Sequence, residues 1–184
     1  IIIPYYDENR KLIYFNGRSL FPNSKLRYLG PPKECGIGKG DVVYMPDGEW
    51  PSAGNLIHVC EGEFNAKSLK LSELFSAACG GKNMTEKQAI LLSKYRICLC
   101  LDNDKAGKTG TTVMSNAVTL LSQVTQSKEK LFFVKPPLTY NDWNEMFIKE
   151  GPAIVHHYIK KNSKPIDFNA PAGMVGDWFR WADL

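Results

Sequence analysis

The sequence has no long apolar stretch, since none of its hydrophobic runs reaches the roughly 18 residues that a membrane-spanning helix requires. It also lacks a basic segment followed by an apolar one at its start, which argues against a secretory signal peptide. We therefore expect no membrane partner and a cytoplasmic location. The first residue is Ile1 rather than Met, which indicates a piece of a longer protein.

Two common motifs for metals and nucleotides are missing as well. The five cysteines form no C-x-x-C pair, which argues against a zinc site, and their odd number is typical of buried free thiols in a reducing compartment. No G-x-x-x-x-G-K-[ST] loop occurs, so these residues contain no helicase motor of that kind.

The composition is that of a folded protein with an uneven charge. The 184 residues include 43% hydrophobic and 23% charged residues, which suits one domain or one domain with a small appendage. The net charge is +4, but the segment from Arg10 to Lys39 has seven basic residues and one acid and carries +6 alone. Such a segment either is a solvated surface or contacts a polyanion such as a nucleic acid. The candidate contacts are Arg18, Lys25, Arg27 and Lys39.

The order of apolar runs predicts a β-rich start followed by a repeated strand–helix alternation. A hairpin is expected from two β-prone runs, at 1–6 and 11–16, separated by a polar turn. Further strands are predicted at 56–60, 74–78, 97–101 and 131–134, and helices at 63–71, from Thr85 with Gln88 as its capping partner, at 106–126 and from Asp142. This order indicates an α/β fold with a small parallel sheet flanked by helices.

Acidic residues follow the ends of three predicted strands. Glu61 follows the strand at 56–60, Asp102 and Asp104 follow the strand at 97–101, and Asp142 lies in the loop after the strand at 131–134. Because parallel strands end at the same edge of a sheet, these carboxylates are expected to converge there. Their mutual repulsion can be relieved by a hard cation such as Mg²⁺, which prefers oxygen ligands.

These acidic elements resemble those of the TOPRIM domain, which primases of the DnaG type share with topoisomerases and some nucleases. The matching elements are Glu61-Gly62, the run from Asp102 to Gly107, and the run from Asn141 to Glu145. The primase branch is favoured by the basic segment before the sheet, in particular Tyr14-Phe15 with Gly17-Arg18, and Arg27-Tyr28-Leu29. The resemblance covers roughly residues 1–160.

The resemblance implies a TOPRIM fold and the catalytic core of a primase. The implied organisation is a basic lobe at 1–53, a TOPRIM domain at 54–150, and a C-terminal helix and linker at 151–184. The implied reaction is synthesis of RNA primers from nucleoside triphosphates on single-stranded DNA, with Mg²⁺ or Mn²⁺. The implied catalytic residues are Glu61, Asp102 and Asp104, and the implied metal ligands are these three with Asp142. Whether Glu61 is a ligand or an acid/base stays open.

Two positions depart from the family pattern. Asn65 and Asn144 stand where related primases often have acidic residues. An asparagine can still ligate a cation through its carbonyl oxygen, but it brings no charge. The departure therefore bears on the number and affinity of metal ions, and Glu63 is a nearby acid that could compensate in part.

Other residues have both a functional and a purely structural interpretation. Lys105 and Lys108, at a helix start, and Lys82, after Gly80-Gly81, are candidates to contact nucleotide phosphates. The alternatives are solvated lysines and a tight glycine turn. Tyr14 and Tyr28 either stack on bases or pack in the core.

The expected partners are a single-stranded DNA template and nucleoside triphosphates. By resemblance, a zinc-binding domain and a replicative helicase belong outside these residues. The alternatives are a TOPRIM nuclease, a fragment of a topoisomerase, and a non-catalytic nucleic-acid-binding module in which Asn65 and Asn144 mark a decayed site.

Overall fold

A computed structural model describes residues 1–21, 23–103, 109–124 and 131–166, and only the backbone of Lys33 and of 109–115. The predicted site residues Asp104, Lys105 and Lys108 lie outside the described residues. Within the described ranges no helix combines the length and hydrophobicity needed to cross a membrane. The five cysteines are free thiols, of which Cys35 is exposed and the other four are buried.

The chain begins with a small antiparallel sheet. Its strands are β1 (Ile2–Tyr6), β2 (Leu12–Arg18) and β3 (Tyr28–Leu29), in the order β1-β2-β3. Side chains alternate across a strand, so β1 buries Ile3 and Tyr5 while β2 buries Tyr14 and Asn16. The predicted hairpin is confirmed by the antiparallel pairing of β1 and β2.

A second sheet of five strands has the order β5-β4-β6-β7-β8. Its strands are β4 (Leu56–Cys60), β5 (Ser76–Ala78), β6 (Arg96–Cys100), β7 (Leu131–Val134) and β8 (Lys164–Pro165). The first four are parallel, as the sequence predicts. The antiparallel β8 is an addition that the sequence pattern did not indicate, and it pairs with the open edge of β7.

Helices cover both faces of this sheet. They are α1 (Glu63–Leu71), α2 (Glu86–Leu92), α3 (Thr109–Val124), α4 (Trp143–Glu150) and α5 (Pro152–Asn162). Because strand side chains alternate, Ile57 and Leu99 pack in the core shared with α2 and α3. Cys98 and Cys100 pack in the core shared with α1, α4 and α5, which the hairpin also joins through Tyr5. The predicted α/β class is therefore confirmed.

Local signals position these helices. Thr85 caps α2, and the capping box is complete, because the Gln88 backbone N–H donates to Thr85 Oγ1 at 3.2 Å and the Thr85 N–H donates to Gln88 Oε1 at 3.0 Å. Gly151 separates α4 from α5 with φ of +83°, a conformation that favours glycine.

Val42 and Ile159 share the core that includes α1, so packing is continuous across the predicted boundaries at 53 and 150.

Candidate active site at the carboxyl edge of the sheet

The carboxyl ends of β4, β6 and β7 bring acidic residues to one edge of the sheet. Glu61 directly follows β4, and Asp102 comes two residues after the end of β6, whose Cys100 is paired with Cys60. The Asn103 backbone N–H donates to the Asn141 carbonyl at 2.8 Å, which holds the loop of Asp102 against the residue before Asp142. The three loops therefore meet, as the parallel pairing requires.

A cleft of about 400 Å³ opens at this edge. Its lining includes the carboxylates of Asp102 and Asp142, the amides of Asn65 and Asn144, and the Arg18 side chain. The predicted residues Asp102, Asp142 and Arg18 thus share one cleft. Both carboxylates come from loops that follow parallel strands, whereas Arg18 comes from the hairpin.

Glu61 directly follows β4, and it is not among the described residues that line the cleft. Burial raises the pKa of the Cys60 thiol, and the negative charges of Asp102 and Glu61 raise it further. Both carboxylates must therefore lie near the Cys60 sulfur at the end of β4.

Two asparagines connect the acidic loops by hydrogen bonds. Asn65 Nδ2 donates to Asp102 Oδ1 at 2.7 Å, and Asn65 Oδ1 accepts from the Asn144 backbone N–H at 2.9 Å. Ser68, one turn further along α1, donates to Asn144 Oδ1 at 3.0 Å. The two positions where the sequence departs from the acidic family pattern therefore place neutral amide side chains in the hydrogen-bond network of the site.

Asp142 also begins α4. Its Oδ1 accepts from the Glu145 backbone N–H at 2.7 Å, which is the usual N-cap interaction. Lys149 and the N–H groups of Asn141 hold the pKa of the Glu145 carboxyl at about 2. Glu145 therefore stabilises the start of α4 through its hydrogen bonds with Asn141, while Asp142 lines the cleft.

The donor set of this cleft suits a hard divalent cation. Asp102, Asp142, Asn65 and Asn144 offer only oxygen and amide groups, which are the ligands that Mg²⁺ and Mn²⁺ accept. Among the described residues, no group of three His, Cys, Asp or Glu side chains is close enough to hold a metal by itself. Mg²⁺ commonly takes one or two protein carboxylates and completes its shell with water and phosphate oxygens, so the two carboxylates fit.

Arg18, which also lines the cleft, contacts two aromatic rings. Its guanidinium is 4.7 Å from the centroid of Phe64 and 5.1 Å from that of Tyr28, and Nη1 donates to the Tyr28 hydroxyl. Burial raises the pKa of Tyr28, and the positive charge of Arg18 acts in the opposite direction. The sequence did not single out Phe64, because its role depends on the register of α1 against the hairpin.

Glu63 connects the two sheets and does not join Asp102 in lining the cleft. Its side chain is 3% exposed, and Oε1 accepts from the Tyr5 hydroxyl at 2.6 Å and from Asn16 Nδ2 at 2.7 Å. Burial and the Glu63 charge both raise the pKa of Tyr5. Lys39 Nζ lies 3.8 Å from the same carboxylate oxygen. This acid, a candidate to compensate for Asn65, is thus buried against the hairpin.

The remaining candidates are spread around this region. Gly80 has φ of +74°, and a Cβ there would lie 2.3 Å from Lys39 Cε, so close packing within the protein explains this glycine. Gly81 has open space around it. Lys82, Lys25 and Arg27 are exposed and are not among the described residues that line the cleft.

The amino-acid sequence matches a known family and known primases. Residues 58–147 match the Toprim-like family. The DNA primase of Thermotoga maritima is 27% identical over 191 residues, an alignment that covers 95% of this chain and 32% of that primase. The chain thus spans about a third of the length of that relative.

Solved primase structures have the same fold. A DNA primase domain from Pseudomonas aeruginosa has a TM-score of 0.71 at 22% identity, covering 89% of this chain and 51% of that one. A DnaG primase catalytic domain bound to single-stranded DNA has a TM-score of 0.65 at 22% identity, covering 88% of this chain and 51% of that one. The resemblance stated from the acidic motifs is confirmed at the level of the fold: residues 58–147 match the Toprim-like family, and the chain has the fold of DnaG-type primase catalytic cores.

Proposed function

We propose that this chain is the catalytic core of a DNA primase, which joins ribonucleotides into RNA primers on single-stranded DNA for replication. The single observation that carries the proposal is the cleft whose lining combines the carboxylates of Asp102 and Asp142 with the Arg18 guanidinium, which contacts two aromatic rings. The carboxylates suit a divalent cation, and the guanidinium with its aromatic neighbours suits a phosphate or a base. Nucleotidyl transfer needs both at one place.

The reaction depends on positioning and on neutralising charge. The primer 3′-hydroxyl attacks the α-phosphate of a nucleoside triphosphate, a new phosphodiester bond forms, and pyrophosphate leaves. A bound Mg²⁺ or Mn²⁺ supplies neutralisation of the charge on the reacting oxygens. We propose that Asp102 and Asp142, with Asp104 outside the described residues, hold this cation, and that Glu61 acts beside them.

The basic residues around the cleft are proposed to hold the nucleic acid and the triphosphate. Arg18 lines the cleft, and Lys39 Nζ lies 5.3 Å from the ring centroid of Tyr28, which also lines it. Lys25 and Arg27 extend the positive charge over the exposed loop before β3. Lys82, Gly80 and Gly81, with Lys105 and Lys108 outside the described residues, are proposed for nucleotide phosphates. The similar DnaG domain bound to single-stranded DNA supports the choice of template.

The proposed organisation places a basic lobe at 1–53 before the Toprim-like domain at 54–150 and the helix and linker at 151–184. A zinc-binding domain and a replicative helicase are proposed as further parts or partners of the whole protein, in the cytoplasm. The Thermotoga maritima primase is about three times as long as the stretch aligned with this chain, so it contains further residues in which such domains could lie.

The test is primer synthesis on single-stranded DNA with labelled ribonucleotides and Mg²⁺ or Mn²⁺, with a primase zinc-binding domain supplied separately. We expect labelled primers from the wild-type chain and at least a hundredfold less from Asp102→Asn, because the loss of one charge removes much of the cation site. Asp47→Asn is the matched control. Asp47 lies outside this cleft and pairs with Lys67, and its φ of +60° is one that asparagine accepts.

Two other outcomes contradict the proposal. Shortening of the DNA without incorporation of ribonucleotides identifies a nuclease. Binding of DNA that survives Asp102→Asn, with no product from the wild-type chain, identifies a non-catalytic module.

A further inference from the structure

Asn65 lines the cleft and connects Asp102 to Asn144 by hydrogen bonds, and its amide has a defined orientation. The residue is 5% exposed and is the third residue of α1. The Asn144 backbone N–H can only donate, so the amide oxygen of Asn65 must face it. The amide nitrogen must then face Asp102 Oδ1, at 2.7 Å. The network therefore requires a side chain that accepts on one side and donates on the other.

A carboxylate at this position would not meet that requirement. An ionised aspartate has no proton to donate, so it would face the Asp102 carboxylate at hydrogen-bond distance with two negative charges opposed. Such a pair is stable only with a proton or a cation between the oxygens. The amide of Asn65 removes this conflict and holds Asp102 in place without a cation.

An amide in place of a carboxylate also changes the charge of the cleft. Asp102 and Asp142 are the carboxylates among its described lining residues, and Asn65 and Asn144 contribute none. The affinity of a carboxylate site for a divalent cation depends on the number of charged ligands. Neutral amides at both positions therefore weaken the attraction of the protein alone for the cation.

We propose that Asn65 is the positioning residue for Asp102. Its amide holds Asp102 in place before a cation binds, and because the amide is neutral, the site binds the cation less tightly than a site with a carboxylate at this position. The inference rests on the proposed function, since it takes Asp102 as a cation ligand. The Ser68 hydroxyl extends the arrangement, because it fixes the Asn144 side chain at 3.0 Å on the opposite side of the amide bridge.

The experiment compares the wild-type chain with Asn65→Asp and Asn65→Ala. Binding of Mn²⁺ alone is followed by the electron paramagnetic resonance signal of the free ion, and thermal unfolding is followed with EDTA and with Mn²⁺. We expect Asn65→Asp to bind Mn²⁺ about tenfold more tightly, because it adds a charged ligand. In EDTA the melting temperature of Asn65→Asp should be lower than that of the wild type, and Mn²⁺ should restore it to the wild-type value.

Asn65→Ala supplies the complementary result. It removes the donor to Asp102 without adding charge, so it should bind Mn²⁺ several-fold more weakly than the wild type and melt lower, with no recovery on adding Mn²⁺. Because alanine suits a helix, this variant keeps the test decisive even if Asn65→Asp folds only with the ion present. That dependence on Mn²⁺ would itself support the proposal.

Asn16→Asp is the matched control. Asn16 is 2% exposed, and its Nδ2 donates to Glu63 Oε1 at 2.7 Å, which is the same donor, distance and acceptor type away from the cleft lining. We expect it to lower the melting temperature in EDTA without recovery in Mn²⁺, since Lys39 already lies beside that carboxylate.

The outcomes separate this proposal from the proposed function. Equal losses of stability in Asn65→Asp and Asn65→Ala, with Mn²⁺ affinity unchanged in both, would show a packing role only and overturn it. Absence of primers from the wild-type chain would contradict the primase function while the Mn²⁺ results still decided the role of Asn65. Primer synthesis with unchanged Mn²⁺ affinities would leave the function standing and remove this inference.

Discussion

At the scale of single residues, His58 shows how burial gives one side chain a measurable effect on stability. It lies in β4, 5% exposed, and its Nδ1 is 2.9 Å from the Phe75 carbonyl, which requires that this nitrogen carry the proton. Burial, against the opposing effect of the hydrogen bond to Phe75 and with a smaller contribution from the nearby His156, lowers its pKa from 6.5 to about 4. The histidine is therefore neutral in the folded chain at pH values where the unfolded chain is protonated.

We expect His58 to make the protein less stable in mild acid. The contribution of neutral His58 to the free energy of unfolding is fully present above pH 6.5, which is the pKa of this histidine in the unfolded chain. It is lost as the pH falls towards 4, the pKa in the folded chain. The loss approaches roughly 1.4 kcal/mol per pH unit between these values. Urea unfolding at pH 7, 6 and 5 should give a shallower pH dependence for His58→Asn than for the wild type. The exposed His157→Asn should keep the wild-type slope, and equal slopes in all three would contradict the assignment.

Individual site residues differ in how far the sequence could identify them. Asp102 and Asp142 were found because they follow apolar strands, and the edge of a parallel sheet is where such residues converge. The roles of Phe64 and Asn65 were not predicted. Their importance comes from what α1 faces, namely the hairpin for Phe64 and the β6 loop for Asn65. Such contacts between distant parts of the chain leave no local signal.

At the scale of elements, α4 joins a structural role to the proposed catalytic one. Asp142 is its N-cap, and the next residue, Trp143, is fully buried in the core beside α1 and α5. This packing holds the helix start at the sheet edge, so the carboxylate that faces the cleft is fixed by the same residues that fix the helix.

Two substitutions at Asp142 separate these roles. Asp142→Ala should lower the free energy of unfolding by about 1 kcal/mol, because it removes the cap, while Asp142→Asn should change it by only a few tenths, since asparagine caps equally well. Both should reduce primer synthesis at least tenfold, because both remove the charge. Urea unfolding and the primer assay measure the two effects. Full activity in Asp142→Asn would restrict this residue to capping.

The predictability of the elements follows the strength of their local signals. The bounds of α1, β4 and β7 agree with the sequence prediction, because each has an apolar pattern bounded by a glycine, an acid or a proline. β6 begins one residue earlier than predicted, at Arg96. The two-residue β8 has no pattern of its own and exists because the edge of β7 offers unpaired backbone groups.

At the scale of the whole molecule, the net positive charge lies in the N-terminal lobe. Residues 1–39 carry a net charge of +4, which equals that of the whole chain, so residues 40–184 are neutral overall. The buried Glu63 carboxylate connects the two parts, because it accepts hydrogen bonds from Tyr5 and Asn16 of the hairpin. The positive lobe is therefore held against α1 beside the acidic edge, so a polyanion bound to the lobe would lie next to the proposed cation site.

This division of charge predicts how binding of single-stranded DNA depends on salt. Each phosphate contact contributes a slope of about −0.7 to the logarithm of affinity against the logarithm of salt concentration, so Lys25→Gln with Arg27→Gln should reduce the slope by about 1.4. Fluorescence anisotropy between low and moderate salt measures it. Lys160→Gln with Lys161→Gln removes the same charge from the exposed end of α5 and should leave the slope unchanged. A slope for Lys25→Gln with Arg27→Gln equal to that of the wild type would mean that the loop before β3 does not contact the DNA.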